Sequence, residues 1–227
     1  MDAGFKYSFY TNNREFTFQD SKGTRTDVTS FSDRTEVRDS NYEKIREQVE
    51  ILYYRYGQQG SADEFAVYLC KYTEPYQVVL ARMPRGDTLD ATLNEAQKYI
   101  SDFKRDSDYE VLRKLRPIDS LIAPDILYKL THHFKDLEWK NLKNPKWQDY
   151  FIFEARQMVH FSLSRTGVIL KSEVRMGVAA GMPDPRREQP RHFYFDRPFL
   201  IYVKKRGPDY SPFFAMWVDN AELLEKF

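Results

Sequence analysis

The chain has 227 residues, enough for one large domain or two small ones, and it is 41% hydrophobic and 16% aromatic. Thirty-five Lys and Arg against 34 Asp and Glu leave a net charge of +1, which gives no electrostatic footprint for nucleic acid. The mean hydropathy of -0.69, with no window of about 18 apolar residues, offers no membrane helix, and the single cysteine excludes an intrachain disulfide.

The opening "MDAGFKYSFYTNN" has no apolar core of the kind a signal peptide needs. "REFTFQDSKGTRTDVTSFS" predicts two short strands around the turn Asp20-Ser21-Lys22-Gly23. In "EQVEILYYRY", Val49, Ile51 and Tyr53 alternate with polar positions, as in a half-buried strand. "DEFAVYLCKY" and "YQVVLARMP" flank the turn Thr73-Glu74-Pro75 and are apolar on both parities, which predicts strands covered on both faces. The three strands in this order form a meander.

The period then changes. In "GDTLDATLNEAQKYISDFKR", Leu89, Leu93, Ala96, Ile100 and Phe103 recur every three or four residues, one face of an amphipathic helix that Asp87 or Thr88 can cap. "IDSLIAPDILYKLTHHFKDLE" predicts a strand broken near Pro124, with a helical turn from Thr131. "FIFEARQMVHFSLSRTGVILKSEVRM" predicts a short helix or turn and then a long strand. The tail carries two apolar strands, "RPFLIYVKK" and "PFFAMWVDN", joined at Gly207-Pro208-Asp209. The sum is α+β, mainly antiparallel β, with no internal repeat and no linker.

Few residues here point to catalysis or metal. His132 and His133 are adjacent, so on a helix they diverge by about 100° and lack the i, i+4 spacing of a helical metal pair. Cys70 lies in an apolar strand and reads as a small buried hydrophobe. Asp106, Asp108 and Glu110 resemble the start of a calcium loop, but the glycine and terminal glutamate are lacking, and they read as a solvated loop. No cofactor is implied.

"FYFDRPFLIYV", residues 193–203, is the unusual stretch: an acid, a base and a proline break an apolar run. Phe193, Phe195, Asp196, Arg197, Pro198, Phe199, Leu200, Ile201 and Val203 resemble the C-terminal signature of the serpin family. The resemblance extends upstream in the same order of elements, through "FYTNNREFTFQDSKGTRTDVTSF", the paired strands of residues 49–84 with the helix after them, "APDILYKLTHHFKDL" and "MVHFSLSRTGVILKSEV". It implies roughly the C-terminal half of a bacterial-type serpin-like fold over residues 1–227, with the helical N-terminal half lacking a counterpart. It also implies a non-enzymatic protein and an extracellular or periplasmic location.

The family traps proteases with a reactive-centre loop, which the resemblance assigns to residues 177–192. The scissile position falls on Arg187, beside Arg186 and Glu188, in "GMPDPRREQPRHF". The implied partner is a trypsin-like or dibasic-cleaving protease, whose acidic pocket pairs with arginine. The hinge falls on Gly167, Val168, Leu170 and Ser172, with Val174 and Met176 next on the inward parity. Inhibitory members carry small residues there. Leu170 and Met176 overpack a closing sheet, which argues against fast trapping. Two readings stay open, an inhibitor and a non-inhibitory binding module, with an enzyme a remote third. Strands whose partners lie in the absent half predict self-association.

Overall fold

The computed structural model describes residues 3–35, 39–58, 61–147, 149–168, 189–207 and 210–227. In chain order the strands and helices begin with β1 (Ala3–Gly4), β2 (Tyr10–Thr11), β3 (Phe16–Gln19), β4 (Arg25–Val28), β5 (Ser30–Ser32) and α1 (Tyr42–Gln48). They continue with β6 (Glu50–Arg55), β7 (Glu64–Tyr68), β8 (Tyr76–Arg82), α2 (Leu89–Phe103) and α3 (Tyr109–Leu112). The last are β9 (Ser120–Pro124), β10 (Ile126–His133), β11 (Arg156–Ser164), β12 (Gly167–Val168), β13 (His192–Tyr194), β14 (Phe199–Lys205) and β15 (Phe214–Val218).

The central sheet runs β15-β14-β8-β7-β6 and is antiparallel throughout. Its apolar residues serve two cores, which is why both parities of β7 and β8 are apolar. Phe65, Val67, Val78, Leu80, Ile201 and Val203 join the main core. Ala66, Tyr68, Val79, Ala81, Leu200 and Tyr202 face the other way, onto Ala96 and Ile100 of α2. The Thr88 hydroxyl caps α2 as expected, accepting from the Ala91 N–H at 3.0 Å.

The predicted alternation Val49-Ile51-Tyr53 holds only as far as a bulge. Ile51 pairs with Val67 and Tyr53 with Ala66, so Leu52 is an extra residue. The bulge reverses the parity: Ile51 faces the main core, while Leu52 and Tyr53 pack toward α2. The helix α1 has no counterpart in the sequence-based reading. It buries Tyr42, Ile45, Arg46 and Gln48, of which Arg46 and Gln48 are polar, so its apolar stripe is thin.

A second sheet runs β13-β9-β5-β2, in which β13 and β9 are parallel. A third runs β1-β12-β11-β10, and β3-β4 form a hairpin around the expected turn. The expectation of a helical turn from Thr131 is corrected. Thr131, His132 and His133 pair with Met158, Gln157 and Arg156 as the end of β10, so long-range pairing overrides the local pattern. His132 and His133 therefore point to opposite faces. Among the described residues no group of three or more His, Cys, Asp or Glu side chains is placed to hold a metal ion. Nor is any described helix long and apolar enough to cross a membrane. Cys70 is buried just past the end of β7, and Asp106 and Asp108 lead into the short helix α3.

Candidate functional site

The signature stretch is a joint between two sheets. Phe193, Phe195 and Phe199 are fully buried; the first two meet Phe65 edge-on at ring-centroid distances of 5.3 and 5.1 Å, and Phe199 packs tilted against Phe195 at 5.1 Å. Between β13 and β14 the chain must cross from one sheet to the other, and Asp196, Arg197 and Pro198 make that crossing. Pro198 precedes the ladder of β14, where no N–H is needed.

The two charges do not pair with each other. Arg197 is exposed, whereas Asp196 accepts from Arg82 Nη1 at 2.6 Å. Arg82 ends β8 and also donates to the Tyr194 carbonyl (2.7 Å) and the Asp63 carbonyl (3.1 Å), with its guanidinium 4.8 Å over the Phe65 ring. Burial pushes the Arg82 pKa down, and the Asp196 carboxylate opposes that shift. The Asp196 carbonyl accepts from Gln19 N–H at 2.9 Å, tying the joint to β3.

Upstream of β13 lies a buried charge cluster. Asp119 is fully buried, and Arg191 is 2% exposed. Arg191 donates from its backbone N–H (2.9 Å), Nε (3.2 Å) and Nη2 (2.7 Å) to the Asp119 carboxylate, and to the Leu112 and Lys114 carbonyls at 2.7 and 2.6 Å. Arg116 grips the same carboxylate, with Nη2 at 2.9 Å from Oδ1. Burial alone would raise the Asp119 pKa, but the hydrogen bonds from Arg116 and Arg191 outweigh it and hold the carboxyl below its usual range. Next to it Arg46 forms a buried ion pair with Asp33 and donates to the Arg116 carbonyl. Arg116 Nη2 and Tyr56 Oη donate to the Gln189 carbonyl at 2.8 and 3.1 Å.

These contacts correct one boundary. The expected loop of 177–192 ends earlier, because Gln189 and Arg191 are anchored and His192 already belongs to β13. Arg186, Arg187 and Glu188 lie outside the described residues, as do Leu170 and Ser172 of the hinge.

Gly167 and Val168 are described. They form β12, pairing with Ser164 and Leu163 of β11 on one side and with Gly4 and Ala3 of β1 on the other. The Arg165-Thr166 turn folds the chain back, and Gly167 has φ 144°, a conformation that needs the absence of a Cβ. Val168 is fully buried. Thus the long strand expected through this region breaks into a hairpin at residues 165 and 166.

On the outer face of the β9–β13 pair, Ser120 Oγ lies 3.0 Å from both His192 Nδ1 and Tyr194 Oη. Among the described residues no carboxylate hydrogen-bonds to His192, so the pair lacks the orienting acid of a nucleophilic triad. The residues that the sequence reading missed are Arg82, Asp119 and Arg191. Each sits at the end of an apolar run, and its partner is remote in sequence.

No family model matches the chain, and no curated protein matches it by sequence. Solved structures do match. Native protease nexin-1, a serpin crystallised with heparin, superposes with a TM-score of 0.53 at 14% identity, over 95% of this chain and 54% of its own. The fold is serpin-like. A thermophilic serpin, tengpin, in its native state, matches with a TM-score of 0.47 at 17% identity, over 96% of this chain and 53% of its own. The chain thus spans about half the length of the serpins it matches.

Proposed function

We propose that the chain is a non-catalytic serpin-like module, equivalent to the C-terminal half of that fold, which offers residues 169–188 to a partner and does not trap proteases by loop insertion. The observation that carries this reading is the double pairing of Gly167 and Val168, between β11 and β1. Trapping in the family needs the loop to enter the sheet as a new strand. Here the first two residues of the hinge already hold ladder partners on both sides. The inward positions that follow, Leu170, Val174 and Met176, are bulky, and forcing such side chains into a packed sheet costs about 1–3 kcal/mol each.

At its other end the segment is anchored by Gln189 and Arg191. Arg186-Arg187-Glu188 is the recognition element within it, and a trypsin-like or dibasic-cleaving protease is the partner class it fits. Such a protease would treat the module as a substrate.

The test is incubation of the 227-residue chain with trypsin at increasing ratios, read by non-reducing and reducing SDS gels and by thermal melting. Cleavage at Arg186 or Arg187 without an SDS-stable complex is expected. The melting temperature should move by no more than a few degrees, equivalent to about 1 kcal/mol for a chain of this size. A covalent band, or a large upward jump in melting temperature after one cut, would overturn the reading in favour of an inhibitor.

A further inference from the structure

The outer half of the β10–β11 pair leaves the core. Residues Lys129–His133 and their partners Arg156–His160 have no buried member, so both faces of this ribbon meet solvent. Beyond it, residues 134–155 carry exposed aromatic side chains, among them Trp139 (64% exposed), Trp147, Phe151 and Phe153 (68%). On one face of the ribbon an apolar stripe starts inside the core and runs outward: Ile126 with Leu163, Tyr128 with Phe161, Leu130 with Val159. Ile126 is 1% exposed and Leu130 is 44%.

A two-stranded ribbon with both faces wet is marginal by itself. Aromatic side chains bury about 150–250 Å² each when covered. The four named here are each about half exposed or more, so a large part of their apolar area stays in water.

The free edge of β10 also has a self-complementary register. β10 is the last strand of its sheet, and among the described residues its outer edge is occupied only at Ile126, by a bridge to Leu224. A second copy can pair antiparallel to it about a two-fold axis through Leu130. Leu130 then faces the partner's Leu130, Lys129 faces Thr131, and Tyr128 faces His132. No lysine lies opposite a lysine. The axis is perpendicular to the sheet, so even-numbered residues of both copies lie on one face, and the two apolar stripes become one. Such an isologous contact closes on itself and does not propagate. A register shifted one residue along each copy would centre on Lys129 and set like charges against each other, which is destabilising.

We propose that this edge is a dimer interface, in which β10 of two copies pairs antiparallel across Leu130 and the two apolar stripes join on one face. The interface shares no residue with the anchors of segment 169–188, so its test is independent of the function proposed above.

The experiment uses Leu130→Cys in the full chain. The one natural thiol, Cys70, is buried and stays silent. Directly opposed residues have Cα atoms about 4.5–5.5 Å apart, within disulfide reach. Leu130→Cys should give a covalent dimer under mild oxidation, while His132→Cys, on the same face but about four residues from its own copy in this register, should not. Sedimentation of the unmodified chain should show a dimer, and Thr131→Lys, which sets lysines opposite Lys129 twice, should raise its dissociation constant by about tenfold. A cooperatively melting monomer at all concentrations, open-ended aggregates, or equal cross-linking at 130 and 132 would overturn the proposal.

Discussion

Asp196 and Arg197 are neighbours in sequence with opposite energetic roles. Asp196 satisfies a guanidinium that is itself mostly buried, since the Arg82 side chain is only 11% exposed. Removing one partner of such a pair leaves the other desolvated and unsatisfied, at a cost of about 1–3 kcal/mol. Asp196→Ala should therefore lower stability by about 2 kcal/mol in urea unfolding, whereas Arg197→Ala, at an exposed site, should cost less than about 0.5 kcal/mol. Equal effects would mean that the charges act on loop conformation and not through Arg82. Asp119 is the stronger case, because its carboxylate is fully enclosed by Arg116 and Arg191. Breaking a buried pair typically costs about 3–5 kcal/mol, so Asp119→Asn should be strongly destabilising at neutral pH. The folded-state pKa of Asp119 is depressed. Its contribution is therefore full above the unfolded value, near pH 4, and is lost as pH falls through the lower folded value. The stability gap between the parent and Asp119→Asn should narrow as pH drops from about 5 to 2. A gap that stays constant with pH would show that the carboxylate charge is not what matters.

At the scale of elements, what could be read from the sequence is what depends on local period. The β3–β4 hairpin, the β6–β7–β8 meander and α2 each carry a pattern complete within itself, with its own turn or cap. What could not be read depends on partners. The bulge at Leu52 appears only when β6 is set against β7. The strand character of Thr131–His133 comes from Arg156–Met158 across the sheet. The site follows the same rule. The signature residues 193–199 are contiguous and recognisable by pattern, but Arg82 lies 114 residues from Asp196 and Asp119 lies 72 from Arg191. A single sequence holds no signal that joins them beyond a charge at the end of each apolar run. This changes what proteolysis should do. The basic, proline-rich segment ahead of β13 predicts cutting at any of its arginines, but Arg191 is held by five hydrogen bonds in the interior. Anchored backbone is cleaved last, so trypsin at low ratio should cut at Arg186 or Arg187, as proposed above, and leave the Arg191–His192 bond intact, as read by mass spectrometry. Early cleavage after Arg191 would mean that the Asp119 anchor opens readily. Gly167 offers the matching test at the other anchor: at φ 144°, Gly167→Ala should cost about 1–3 kcal/mol in thermal or urea unfolding.

The whole molecule is unevenly consolidated. The main core draws on every sheet, from Phe18 of β3 and Phe31 of β5 through Val67 and Ile201 of the central sheet to Val168 of β12. Residues from five adjacent strands and α2 close the second core. The ribbon of Lys129–His133 and Arg156–His160 contributes no buried residue to either. Amides in β7, β8 and β14 can therefore exchange only through events approaching global unfolding, while those of the ribbon open locally. In a lone chain the ribbon should exchange orders of magnitude faster than β14. If Leu130 sits on a two-fold axis, the outward-facing amides of Lys129 and Thr131 gain partners in the second copy, and their protection should rise with protein concentration while that of β14 does not change. Hydrogen exchange at two concentrations on either side of the dissociation constant separates the cases. Concentration-dependent protection confined to β10 supports the paired edge. Protection of the ribbon that is already high in the dilute chain would mean that it is covered within a single copy, and the ribbon would then be part of the cooperative fold.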